Sequence, residues 1–467
     1  MKQDLTIGSP ARVIFFYSLP VILGNVFQQV YNFVDNVVVG RAVGYEALAG
    51  VGVTTGMTFL ILGFIIGITS GLGVRTAQYF GAGDMDGVRR SIGTSIWICI
   101  AISALMTVVA LALADPLLRL MGAEDSIYHY ARDYVIILFA GLSTQTAYNL
   151  ISSILRAVGD SKTPLYFLVF SSVLNVVLDI AFMFGAGWGV KGAAIATVLA
   201  QFISAALCFI YTFSHYKELR LHREDFRTSW ALVNEHVRIG LPMAFQFSIT
   251  AIGTIFLNAA LAGFPAPYIA GFAAANRITG LFAQVPVSFG VAMANFAGQN
   301  FGAGKLGRVR QGVRATCVMS MCVCVVASSV LLLFPHQLTS LFVDGADSIA
   351  DIFDASRRYL RVSASLYPFL FLIFIFRNAL QGIGRPFWPL MGGVGELVIR
   401  AITSFILPQR FGYTGVIYVD CLSWVLACLI LAIAYYFTMM RKGSRQRLCR
   451  SRCRDSQCLH LRRTRRL

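Results

Sequence analysis

Asp35 and Asp179 are carboxylates set in otherwise apolar sequence, within Asn32-Phe-Val-Asp35 and Leu174-Asn-Val-Val-Leu-Asp179. A charge at that depth in a hydrophobic run costs several kcal/mol, so it points to function before structure. Asn175 and Asp179 stand at i and i+4 and share one helix face. The stretch that carries Asp35 also carries Asn25, Gln28, Gln29, Asn32 and Asn36 at spacings of three and four, a polar stripe suited to a wet cavity. Asp35 lies five residues before Gly40, and Asp179 and Thr197 fall at a similar depth in their own spans, so one site could collect all three. Two carboxylates with an amide oxygen and a hydroxyl or carbonyl make an all-oxygen set for a hard cation, so Na+ could sit at Asp35, Asn175 and Asp179. Without a metal, two carboxylates in low dielectric would share a proton.

The elements that must hold these residues are membrane helices. The chain is 57% hydrophobic and 13% charged over 467 residues, well below the roughly 25% charge of a soluble domain. Its charges are clumped and leave long uncharged runs, among them 47 to 74, 91 to 114 and 239 to 276. Crossing a bilayer takes about 20 apolar residues, and hydrocarbon satisfies no backbone hydrogen bonds, so these runs are expected to be helices, about twelve in all. Met1 to Arg12 is polar and leads straight into the first span, which is expected to be retained rather than cleaved as a signal.

Lys and Arg gather in alternate loops, at 75 to 90, 156 to 162, 217 to 227 and 305 to 314. The positive-inside bias then predicts both termini on the cytoplasmic side of a cell inner membrane. The net charge of +17 does not point to nucleic acid, because residues 441 to 467 hold eleven Lys/Arg against one Asp. That tail is expected to be disordered and to meet lipid headgroups if anything. Cys449, Cys453, Cys458 and His460 within it lack a paired metal knuckle, and the seven other cysteines read as small apolar residues of the spans.

The chain also repeats itself. Ser18-Leu-Pro20 matches Gly240-Leu-Pro242, and Gln78-Tyr-Phe-Gly-Ala-Gly83 matches Gln299-Asn-Phe-Gly-Ala-Gly304. Leu155 to Pro164 matches Leu380 to Pro389, and the offset holds between 221 and 225. The predicted architecture is therefore all-α and polytopic: a six-helix lobe over 1–213, a linker over 214–236, and a second six-helix lobe over 237–440 in the same orientation.

On Pro20, the Asn32 to Asp35 stretch with Gly40, the glycine-rich second span ending in Gln78 to Gly83, and Leu174 to Asp179, the chain resembles the multidrug and toxic compound extrusion (MATE) family from Ser9 to about Met440. The resemblance implies two lobes about a central cavity, alternating access, and export of organic, often cationic and aromatic, compounds against Na+ or H+. It implies a first-lobe cation site at Asp35, Asn175, Asp179, Thr197 and the carbonyl of Ala193, with Pro20 as the bend of the first helix. No cofactor is expected beyond the coupling ion, and the expected partners are small organic substrates and membrane lipids, with the chain acting as a monomer. The first span of the second lobe lacks the acid some relatives carry, since Asp35 aligns with Leu257, and its fourth span carries Arg377; no second-lobe coupling site is expected.

In the second lobe, the repeat maps Asn175 onto Arg400 and Thr197 onto Asp420. A buried Arg400–Asp420 salt bridge is therefore expected, with Glu396 one turn before Arg400 as a second partner; the alternative is that these charges snorkel apart. The competing function is a flippase for lipid-linked or polysaccharide precursors, whose basic cavity would have Arg377 and Arg400 to draw on. A membrane enzyme is not expected, because the six histidines lie in loops or at span ends.

Overall fold

The computed structural model describes residues 4–121, 124–342 and 349–463; the side chains of Asn36, Ile349 and residues 441–463 lie outside the description. The first lobe comprises α1 (Pro10–Val43), α2 (Tyr45–Gly81), α3 (Met85–Leu120), α4 (Asp125–Ala140), α5 (Leu142–Ala157), α6 (Lys162–Asp179) and α7 (Gly189–His215). The second comprises α8 (Trp230–Leu261), α9 (Ala266–Gly302), α10 (Leu306–Leu333), the short α11 (Pro335–Ser340), α12 (Ile349–Gly382), α13 (Phe387–Phe411) and α14 (Tyr413–Arg463). Among the described residues eleven helices are long and apolar enough to cross a membrane, and α4 with α5, joined at a 51° bend, makes a twelfth. The expected all-α fold of two six-helix lobes follows from this order. The basic, Cys-containing tail expected over 441–467 falls on side chains outside the described residues.

The segment between α7 and α8 is short-turned and docked on the first lobe. Asp225 and His222 cap one another, Arg89 pairs with Asp225 at 3.7 Å, and Thr94 meets Thr228 at 2.9 Å. Just beyond it, His236 is fully buried at the start of α8 and tied to Ser91 at 2.7 Å.

The two lobes meet at the end of the bundle that carries the basic loops, and the repeated motif makes the joint. Gln78 of α2 donates to the Gly382 carbonyl of the other lobe at 2.9 Å, while its counterpart Gln299 donates to the Ala157 carbonyl at 2.8 Å. A Cβ on Gly81 would lie 1.9 Å from the Gln299 carbonyl oxygen, and one on Gly302 would lie 1.9 Å from that of Gln78. The joint is therefore reciprocal, each half of the repeat seating its glycine on the other's glutamine backbone. Gly83 and Gly304, with φ of 76° and 71°, then turn the chain where an L side chain would be strained. Above the joint, Gly67 and Gly71 let α2 lie against Ala244 and Gly240 of α8. Gly81→Val and Gly302→Val are each expected to lower the yield of folded protein, with a cost of roughly 1–3 kcal/mol for overpacking. Gly52→Val, with nothing within 4 Å of its Cβ, should be neutral; equal yields of all three in detergent gel filtration would remove the joint's role.

Inter-lobe contacts thin out away from the basic end. Among the described residues, the hydrogen bond farthest from that end is Asn25 Nδ2 to Ser288 Oγ, 3.0 Å, between α1 and α9. Beyond it no hydrogen bond joins the lobes among the described residues, although Gly63 of α2 still meets Phe247 of α8.

Candidate functional site

Asp35 on α1 and Asp179 at the last turn of α6 meet inside the first lobe, close enough for their carboxyl groups to share a hydrogen bond. Asp179 is fully buried and Asn175 nearly so. Asn175, one turn before Asp179, has an amide that fits its surroundings in one orientation. Its nitrogen then donates to Asp179 Oδ2 at 3.1 Å and to the Tyr31 hydroxyl at 2.6 Å, and its oxygen accepts from the Thr197 N–H at 3.1 Å. On α7 the Thr197 hydroxyl donates to the Ala193 carbonyl at 3.0 Å. Asp35, Asn175, Asp179, Ala193 and Thr197, five residues from three helices, are thus brought together.

An apolar cluster closes the site on one side. Val39, Ala47, Val51, Met183 and Val190 cluster with Ala193, packed by Tyr130 and Tyr134, between the carboxylates and the end of the bundle away from the basic loops. Immediately after Asp179 the helix widens into a π turn, Ile180–Gly185, in which the Ala186 N–H reaches back to Ala181. Such turns displace side chains from α-helical register and recur at functional sites. Asp35 Oδ1 and Asp179 Oδ1 are buried with no hydrogen-bond partner. Two orphaned carboxylate oxygens beside each other call for a shared proton or a small cation, and an all-oxygen donor set fits either.

Of the polar stripe on α1, Gln28 and Asn32 are exposed and Gln29 is half-buried, whereas the Asn36 side chain lies outside the description. Pro20 is buried within α1, which continues as helix on both sides, and Pro242 stands in the matching place of α8. Since proline removes a backbone hydrogen bond at this turn, Pro20→Ala is expected to slow efflux severalfold while leaving the folded yield unchanged. Unaltered turnover in a vesicle assay would reduce Pro20 to a packing residue.

In the second lobe Arg400 Nη2 donates to Asp420 Oδ1 at 2.6 Å, with both side chains largely buried. Glu396 does not hydrogen-bond Arg400: it accepts from Arg377 Nη2 at 2.8 Å. α12 passes α13 at that level and presents Arg377 first, which leaves Arg400 Nη1 and Nε without hydrogen-bond partners. The Arg400 guanidinium instead lies against α8 at Gly253, where a Cβ would come within 2.9 Å of Nη1. Gly253 is the repeat counterpart of Tyr31, at the offset that pairs Pro20 with Pro242 and Asp35 with Leu257, so the second lobe has no side chain where the first has a phenol and seats a guanidinium there.

Sequence reasoning did not find Tyr31, Tyr134, the Arg377–Glu396 pair or the exposed Arg277 of α9. Tyr31 was detectable as one turn before Asp35 on the same face. Arg277 was detectable as the charge that ends the uncharged run 239 to 276.

Two lobes of six spans, joined by a duplicated motif and holding a buried carboxylate pair, point to a membrane transporter. A family model described as MatE matches residues 20–181 and 242–406, one block in each lobe, and the chain belongs to this family of multidrug efflux transporters. It is 28% identical to the probable multidrug resistance protein YpnP of Bacillus subtilis, covering 87% of this chain and 89% of that protein. It is 22% identical to a protein named FAD transporter from Shewanella oneidensis, covering 94% and 96%. Among solved structures it matches the outward-facing conformation of a multidrug resistance MATE family transporter with a TM-score of 0.85 and 25% identity, over 94% of this chain and 98% of that one. These relatives are transporters, not enzymes.

Proposed function

We propose that this chain is a secondary antiporter in the plasma membrane that exports small organic compounds by alternating access, coupled to inward movement of a cation through Asp35 and Asp179. The observation that carries this reading is the pair of contacting carboxylates, each with a buried oxygen lacking a partner. Asn175 holds Asp179 through its amide, and the paired carboxylates fit either a proton or Na+ as the coupling ion. With the basic loops taken as cytoplasmic, both termini lie in the cytoplasm. The segment between α7 and α8 then serves as a cytoplasmic linker between the two lobes of a monomer.

The polar stripe of Gln28, Gln29 and Asn32 suits organic molecules of varied shape, and the relative named FAD transporter extends the candidate load to phosphorylated aromatic metabolites. The Arg377 and Arg400 guanidinium groups, which a flippase would need for an anionic lipid headgroup, are both spent on buried ion pairs. The test is efflux from proteoliposomes of the purified chain under an imposed pH gradient and, separately, an imposed Na+ gradient. Export of a dye driven by the pH gradient or the Na+ gradient is the expected result; export indifferent to both gradients would end the antiport reading.

A further inference from the structure

Arg277 is an intramembrane cation without a partner. It lies in α9 eleven residues after Ala266, its side chain is exposed, and among the described residues it makes no ion pair and no hydrogen bond. A guanidinium left in hydrocarbon is costly, so its direction matters. Arg277, Leu281, Gln284 and Ser288 follow one another at spacings of four, three and four, a single stripe along α9. Ser288 at one end of that stripe meets Asn25 of the other lobe. The opposite side of α9 packs within its own lobe, where Gly271 abuts the Ile352 backbone and Phe272 stacks edge-on to Tyr359 at 4.9 Å. Arg277 therefore stands on the stripe of α9 that turns to the first lobe at Ser288, not on the side packed within its own lobe.

Its depth is set by the same contact. The N-terminal segment of the chain meets Gln299 through Leu5, and α1 meets Ser288 through Asn25, so α1 and α9 run in opposite directions. Going outward from the Asn25–Ser288 contact, Arg277 lies about 16 Å along α9 and Asn32 to Asp35 about 10–15 Å along α1, at about 1.5 Å per residue. At this level α1 thus exposes the amides of Gln28 and Asn32, and α9 exposes Asn276 and a free guanidinium. The four charges deeper in the second lobe neutralise one another as Arg377–Glu396 and Arg400–Asp420 and leave that guanidinium uncompensated.

We infer that Arg277 is a substrate-binding residue and that the transported compounds are organic anions, carrying a carboxylate or phosphate that the guanidinium grips through two parallel hydrogen bonds while the α1 amides meet their polar groups. The inference rests on the transport reading above and narrows its substrate class.

The test uses the full chain in proteoliposomes with carboxyfluorescein as the anionic aromatic probe and ethidium as the cationic one, under pH and Na+ gradients. Wild type should export carboxyfluorescein. Arg277→Gln should reduce that rate about tenfold without lowering ethidium export, and Arg277→Lys, which keeps the charge but not the fork, should restore part of it. Carboxyfluorescein export at the wild-type rate in Arg277→Gln, or an equal loss of both probes, would overturn the assignment. Export of ethidium alone by the wild type also ends it while leaving the transporter reading intact; export of neither probe under either gradient ends both.

Discussion

Asp35→Asn and Asp179→Asn should each abolish gradient-driven export, to the level of vesicles without protein, while the variants accumulate in the membrane as well as wild type. Asparagine keeps the shape of a protonated aspartic acid but cannot release the proton, so the loaded and unloaded states of the pair become the same. Stability should not suffer, because each carboxylate contributes an oxygen that is buried without a partner and a like charge beside its neighbour. Removing one of two like groups relieves that conflict, and Asp179→Asn should melt at or above the wild-type temperature. The measurement is dye efflux in proteoliposomes alongside a thermal unfolding curve in detergent. Wild-type efflux in both single variants would move the coupling site elsewhere. A collapse in folded yield would instead make the pair a structural contact.

Arg400 and Asp420 are expected to behave in the opposite way. Arg400→Ala or Asp420→Ala strands one charge in a low-dielectric interior, at roughly 3–5 kcal/mol, and should sharply lower the amount of folded protein. The stranded guanidinium would be worse placed than most, since its Nη1 and Nε already lack partners. The exchanged variant, Arg400→Asp with Asp420→Arg, should recover part of the loss because the pair is restored with its polarity reversed. Quantified yield after gel filtration checks this; single variants as abundant as wild type would mean that the pair adds nothing to the fold. Glu396→Gln separates the two ion pairs: it should weaken the hold on Arg377 and leave the Arg400–Asp420 contact in place. These two sets of variants divide the lobes by function, one where removing charge stops export and one where it unfolds the protein.

The sequence by itself determined the spans, the duplication and the depth of the two carboxylates. Hydrocarbon leaves a helix no freedom over its length, and a shared offset leaves two halves no freedom over their order. Within one helix it also determined faces, which is why Asn175 and Asp179 could be grouped, and the repeat offset placed Arg400 opposite Asp420. Relations between helices were another matter. That Glu396 meets Arg377 rather than Arg400, that Tyr31 reaches Asn175, and that the Asn175 nitrogen points to Asp179 all depend on how far each helix is rotated and shifted against its neighbours. Packing of side chains and glycines sets those rotations, as where Gly253 admits the Arg400 guanidinium and Gly81 seats on Gln299. The same holds for Arg277: its position in a hydrophobic run was visible in the sequence, but that its stripe turns toward the other lobe was decided by the Asn25–Ser288 contact eleven residues away, because the helical period carries direction along one element and only tertiary contacts carry it to the next.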